Sequence, residues 1–127
     1  MTIPTQSVIL PTSIQRAYRE ADLLDDVRVY TGTLIADLVM SSARSLKDRR
    51  GPQRALLQRL RNGDFNVAQV GPADLVQRWF LAVTAVSGGQ TQLNELLDSA
   101  ERTIFATEFE VVDLRRVLTS ETYPSSL

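Results

Sequence analysis

The chain has 127 residues, 43% of them hydrophobic and 23% charged, with a net charge of −1. These values sit near the globular average and supply enough chain for one core without staples. There is no cysteine and no histidine, which removes disulfides, thiolate metal sites, the commonest metal ligand and the commonest general base near neutral pH. Serine–histidine and cysteine–histidine nucleophile systems are thereby excluded; carboxylates, hydroxyls, tyrosine and a single lysine, Lys47, remain for any chemistry.

Taken in chain order, residues 1–11 show no helical period and read as a loose arm. From Ser13 to Leu24 the spacing of Ile14, Ala17, Tyr18, Ala21 and Leu24 predicts a short amphipathic helix, capped by Thr12 or Ser13. Val29–Val39 is rich in strand formers and alternates Leu34, Ala36 and Leu38 with Thr33, Ile35 and Asp37, which predicts the first strand of a core domain. Ser45-Leu46-Lys47-Asp48 has the form of a capping box and opens a helical pattern that runs to Arg61, with Asn62-Gly63 as its stop. Gly51-Pro52 interrupts that pattern. Either a single turn is followed by a new helix starting at Pro52, or one helix is kinked; proline favours the first helical position, so a restart is the expectation. Phe65–Val70 is a second, short strand and Gly71-Pro72-Ala73-Asp74 a turn. Arg78–Val86 is the strongest strand, apolar on both faces as a central strand should be. Gly88-Gly89 turns the chain into a second core helix, Gln90–Phe105, with a stripe of Leu93, Leu96, Leu97, Ala100 and Ile104. Phe109–Val117 is the last strand and 119–127 a tail.

The domain order over residues 29–118 is therefore strand, helix, strand, strand, helix, strand. Two right-handed strand–helix–strand units interleaved in this way make a ferredoxin-like α+β fold. The expectation is a four-stranded antiparallel sheet, strands one and three central, two helices on one face, and residues 1–28 as an N-terminal helical extension.

Ser45-Leu46-Lys47-Asp48-Arg49-Arg50, followed by Leu57-Gln58-Arg59-Leu60-Arg61-Asn62, resembles a segment of the YlxP-like bacterial proteins, domain-of-unknown-function family 503. Phe65-Asn66-Val67, Asp74-Leu75, Gln77-Arg78 and Val86-Ser87 resemble its later motifs, and Thr31-Gly32-Thr33-Leu34 its opening strand. The likeness spans about 90 residues, Tyr30 to Leu118. It departs at Gly71-Pro72-Ala73, where the family has an acid and a histidine, at Gln69 in place of a glutamate, and at Gly51-Pro52. The resemblance implies a ferredoxin-like, cytoplasmic bacterial protein, often encoded beside translation and ribosome-maturation factors, with no established enzymatic activity.

Charge is polarised along the chain. Between Arg44 and Arg61 there are seven basic residues and one acid; from Thr91 onward there are seven acids and three arginines. On the first core helix Lys47, Arg50, Arg54 and Arg61 fall near one line, with Leu46, Leu56, Leu57 and Leu60 toward the other side. A phosphate-contacting stripe is one reading, which makes ribosomal RNA or a ribosomal subunit the expected partner. An acidic protein partner and a merely solvated outer face are the alternatives. The open face of the sheet is a second candidate surface, for self-association or for cover by Ile14, Tyr18 and Leu24. Asp37, Asp74, Glu110 and Asp113 are carboxylates without a spacing that selects metal or acid–base chemistry. Gly88-Gly89 lacks the lysine and spacing of a phosphate loop. No cofactor, metal or small-molecule ligand is inferred, and no catalytic residue is assigned. No stretch approaches the ~18 apolar residues of a membrane span, and a cytoplasmic location is expected.

Overall fold

In the computed structural model, which describes residues 11–22 and 27–123, the alternation in the first strand decides which way the sheet faces. Leu34, Ala36 and Leu38 of β1 (Val27–Val39) are fully buried, while Thr33, Ile35 and Asp37 point the other way. The remaining elements follow as α2 (Leu46–Asn62), β2 (Asn66–Val70), β3 (Arg78–Ser87), α3 (Gln90–Phe105) and β4 (Glu110–Tyr123), preceded by α1 (Thr12–Asp22). The four strands form one antiparallel sheet in the order β2-β3-β1-β4. This is the predicted ferredoxin-like arrangement, with strands one and three at the centre.

β3 was apolar on both faces, and packing selects one. Trp79, Leu81, Val83 and Ala85 are buried under the helices with Leu56, Leu60, Leu93, Leu97 and Ile104. Phe80, Ala82 and Thr84 are half-buried on the opposite face, and Val86 is exposed. Leu96, expected in the buried stripe of α3, lies at its exposed margin. Gly32 is where α3 comes closest to the sheet: a Cβ there would collide with Leu97 Cδ1 and lie 3.2 Å from Leu118 Cδ2.

Some boundaries and one strand register differ from the sequence reading. β4 continues through residues expected to be a tail, because Thr119–Tyr123 pair with Val27–Thr31 of β1. The register of that pair slips once, at Asp37/Leu38, where Val112 is the extra residue on β4. At the other end, Pro11 carbonyl accepts from the amides of Ile14 and Gln15, so α1 begins at Thr12. Ile14 is exposed, so it does not supply cover for the sheet; Leu24 and the side chain of Tyr18 lie outside the described residues.

The larger correction is at Gly51-Pro52. α2 does not restart at Pro52; one helix runs through it, with proline well inside. Proline removes the bond to the Asp48 carbonyl and costs about 3 kcal/mol in a helix interior. Burial on both sides of the break offsets it. Arg49 before the proline and Gln53, Leu56, Leu57 and Leu60 after it are all buried, and they share a face only if the helix is continuous.

The stop at the end of α2 also differs in detail. Gly63 has φ −84, and Asp64 is the left-handed residue with φ 66. Asp64 N donates to Arg61 O (3.0 Å) and Phe65 N to Leu60 O (3.1 Å), the two bonds of a Schellman motif, closed by the buried Phe65 near Leu60. Aspartate tolerates this conformation less well than glycine. Asp64→Gly is therefore expected to raise stability by roughly 0.5 kcal/mol, after the added entropy of the unfolded chain is subtracted. A urea unfolding series on the two proteins checks the sign.

Candidate nucleic-acid interface

α2 begins at a formed cap. Ser45 Oγ accepts from Asp48 N at 3.3 Å, as expected of the capping box, but the Asp48 carboxylate reaches one residue further back and accepts from Arg44 N at 2.9 Å. The chain's one acid in this basic stretch is thereby committed to the helix start, where the dipole also favours it.

Because α2 is unbroken, Lys47, Arg50, Arg54 and Arg61 form a single exposed stripe. At 100° per residue they fall within an arc of about 60° and extend roughly 21 Å along the helix. The buried face centres about 100° away rather than directly opposite. The stripe therefore runs along one flank of α2, beside the short β2 edge, and Arg59 stands on the other flank. Lys47, Arg50, Arg54, Arg59 and Arg61 make no ion pair with any described residue. The neighbouring helix is of opposite character: α3 exposes Glu95 and Asp98. Asp98 and Glu101 hold Arg116 of β4 at 2.9 and 3.3 Å. Burial pulls the Arg116 guanidinium down, and its bonds to these two carboxylates more than offset that.

Arg49 is one of the seven basic residues of this stretch but not of the predicted stripe, and its role is not visible in that count. It is 3% exposed. Its guanidinium donates to the carbonyl oxygens of Leu75, Arg78 (2.6 Å) and Ala73 (3.3 Å). Burial pushes its pKa down from the ordinary arginine value. Gln77 acts in parallel, its amide donating to the carbonyls of Ser41 (3.0 Å) and Ala43 (3.2 Å), while its own carbonyl accepts from Met40 N. Arg49 thus ties the first motif to the backbone of the second, and Gln77 of the second ties it to the backbone of the loop before α2. The signal was present in the periodicity, since Arg49, Leu56 and Leu60 recur at i, i+7 and i+11.

Among the described side chains, the open sheet face does not form an aromatic platform. Phe65, Trp79 and Phe109 are buried on the helix side, the last two with ring centroids 5.2 Å apart. Phe80 does face outward, but the Arg78 guanidinium covers it, 5.0 Å from the ring centroid. Among the described side chains, base stacking of the kind used by sheet-based RNA binders has no free ring there.

Of the four carboxylates, Asp37 and Asp113 lie directly opposite each other across β1 and β4, with Glu110 further along the same strand. Each member of the pair is taken by an arginine, Asp37 by Arg78 (2.6 Å) and Asp113 by Arg115 (3.0 Å). Asp74 is in the exposed turn before β3. No group of three metal-ligating side chains occurs among the described residues. The hydrogen bonds from Arg78 hold the Asp37 carboxyl below the usual carboxylate range, against a smaller opposing effect of burial. A depressed carboxyl contributes stability above its unfolded pKa of about 3.9 and loses it as pH falls through the folded value. The stability difference between the parent and Asp37→Asn is therefore expected to be constant above about pH 5 and to shrink below about pH 4. Thermal melts at stepped pH read this directly. At Gly88-Gly89 the Gly89 amide is satisfied by Ser87 Oγ at 3.2 Å, an ordinary turn into α3.

A four-stranded α+β domain of ferredoxin-like topology, with one basic and one acidic helix on the same face, is the class this architecture defines. The chain belongs to the family described as protein of unknown function DUF503, which matches residues 31–116. No curated protein matches the chain. No helix among the described residues is long and apolar enough to cross a membrane.

Proposed function

We propose that this protein is a non-catalytic RNA-binding factor that contacts RNA through the flank of α2 carrying Lys47, Arg50, Arg54 and Arg61. The observation that carries this is the absence of ion-pair partners, among the described residues, for any of these four exposed cations. A purely solubilising face mixes signs; this one does not. The chain's resemblance to proteins encoded beside translation factors makes ribosomal RNA fragments and small ribosomal subunits the first probes, with a role in translation or ribosome maturation. Binding is measured across a salt titration. Affinity falls with salt, and Arg50→Glu with Arg54→Glu abolishes it while the thermal melt is unchanged. Affinity indifferent to salt, or surviving the double reversal, refutes the proposal.

A second reading rests on the sheet. Ile35, Val86 and Val117 are exposed on its open face, an apolar surface suited to a second copy of the chain. Size exclusion with light scattering at high micromolar concentration decides it; a strict monomer rules this reading out.

A further inference from the structure

Between the basic flank of α2 and the β2 edge lies a cleft of about 260 Å³, walled chiefly by Arg49, Arg50, Gln53, Arg54, Leu57 and Gln69. No carboxylate of the described residues lines it. Three features set it apart from an ordinary surface groove. Arg49 is buried and, among the described residues, its guanidinium bonds only to carbonyl oxygens and its Nε–H meets no acceptor. Gln53 is 7% exposed, and its side-chain amide bonds to no described residue. Arg50 and Arg54, one turn apart, bring two further unpaired cations to the rim.

Buried charges are ordinarily paired with an opposite charge, because an uncompensated one is costly. Carbonyl dipoles supply only part of that compensation for Arg49. Its field, added to those of Arg50 and Arg54, is concentrated in a concave space with low-dielectric walls. An anion entering there gains charge-assisted hydrogen bonds and relieves the standing imbalance. Donors come from two elements, arginines and Gln53 from the helix and Gln69 from the strand. This suits a tetrahedral oxyanion with several acceptor oxygens better than a carboxylate, which one arginine fork saturates. The volume is below the roughly 300–1,000 Å³ of drug-sized ligand sites, which limits the occupant to a phosphate and little more.

We propose that this cleft is a phosphate-binding site, in which Arg50 and Arg54 neutralise the phosphate and the Gln53 amide donates to one of its oxygens. Assigning that phosphate to an RNA strand rests on the function proposed above; the site itself does not.

The test is titration of inorganic phosphate against chloride at matched ionic strength, followed by amide and side-chain NMR shifts, on the full chain. The variants are Gln53→Leu and, because a buried change can unfold the protein, the exposed Arg54→Gln. The expected result is saturable phosphate binding with shifts centred on Arg50, Gln53, Arg54 and Gln69, weakened about tenfold or more by Arg54→Gln. Phosphate shifts no larger than those of chloride, or equal binding by the parent and Arg54→Gln, overturn the site. RNA fragments with and without a terminal phosphate form the second arm. Phosphate binding without RNA binding upholds the cleft and refutes the RNA reading. RNA binding without phosphate binding does the reverse.

Discussion

Arg49→Met is expected to lower the stability of the domain by about 2–4 kcal/mol, a larger effect than any other single charge removal on α2. Methionine keeps the apolar stem and most of the volume, so little is lost in packing. What disappears is one charged group that donates to three carbonyls of the 73–78 segment. Hydrogen bonds from a charged donor are worth roughly 1.5–3 kcal/mol each, but this segment is largely exposed and water replaces part of the loss. The sum is therefore discounted rather than tripled. Arg49→Lys is expected to recover less than half, because an ammonium cannot reproduce the planar fork. Urea unfolding gives the free energies, and hydrogen exchange at Leu75–Arg78 should rise in both variants before global unfolding. A cost below about 0.5 kcal/mol for Arg49→Met, the range of ordinary surface substitutions, would show that the clamp is idle.

The second large effect is in the salt dependence of RNA binding. If all four stripe residues neutralise phosphates of a single strand, the slope of log K against log salt is about −2.8, from roughly −0.7 per contact. Raising salt from about 50 to about 200 mM then weakens binding roughly 50-fold. Arg50→Gln with Arg54→Gln, which neutralises without reversing, should halve the slope to about −1.4 and cut the loss to roughly sevenfold. Lys47→Gln with Arg61→Gln should do the same if the whole stripe is engaged. A slope unchanged by the first pair would place the contact elsewhere on the molecule.

Both predictions concern α2, where the sequence was informative and misleading at once. The positions of Lys47, Arg50, Arg54 and Arg61 on one line followed from spacing alone, because a helix converts sequence separation directly into angle. Whether that line was continuous did not follow. Local propensity at Gly51-Pro52 argues for a break, and the burial of Arg49 on one side with Gln53, Leu56, Leu57 and Leu60 on the other overrides it. Arg49 itself was legible as basic and as part of a motif, yet its three acceptors lie 24 to 29 residues away. Its register with Leu56 and Leu60 marks it as the inward-facing cation of the seven, but no local signal shows which distant carbonyls it will meet. The carboxylates are similar. Asp37 and Asp113 are opposite each other only because β1 and β4 pair in one register, and the bulge at Val112 lies beside that pair.

The sequence by itself determined the element order, the antiparallel topology, the central place of β1 and β3, and the basic character of α2. Each of these rests on periodicity, strand composition or handedness, which are properties of short segments and of chain connectivity. Only the tertiary structure decided which face of β3 is core, that α2 passes through Pro52, that β4 runs on to Tyr123, and that Arg49 is withdrawn from the surface to hold the 73–78 turn. These depend on which distant groups are brought within bonding distance. The cleft beside Arg50, Gln53 and Arg54 belongs to the same category: its residues are scattered over two elements and a turn, and its positive character follows from Arg50, Arg54 and a buried Arg49 that makes no ion pair with any described residue.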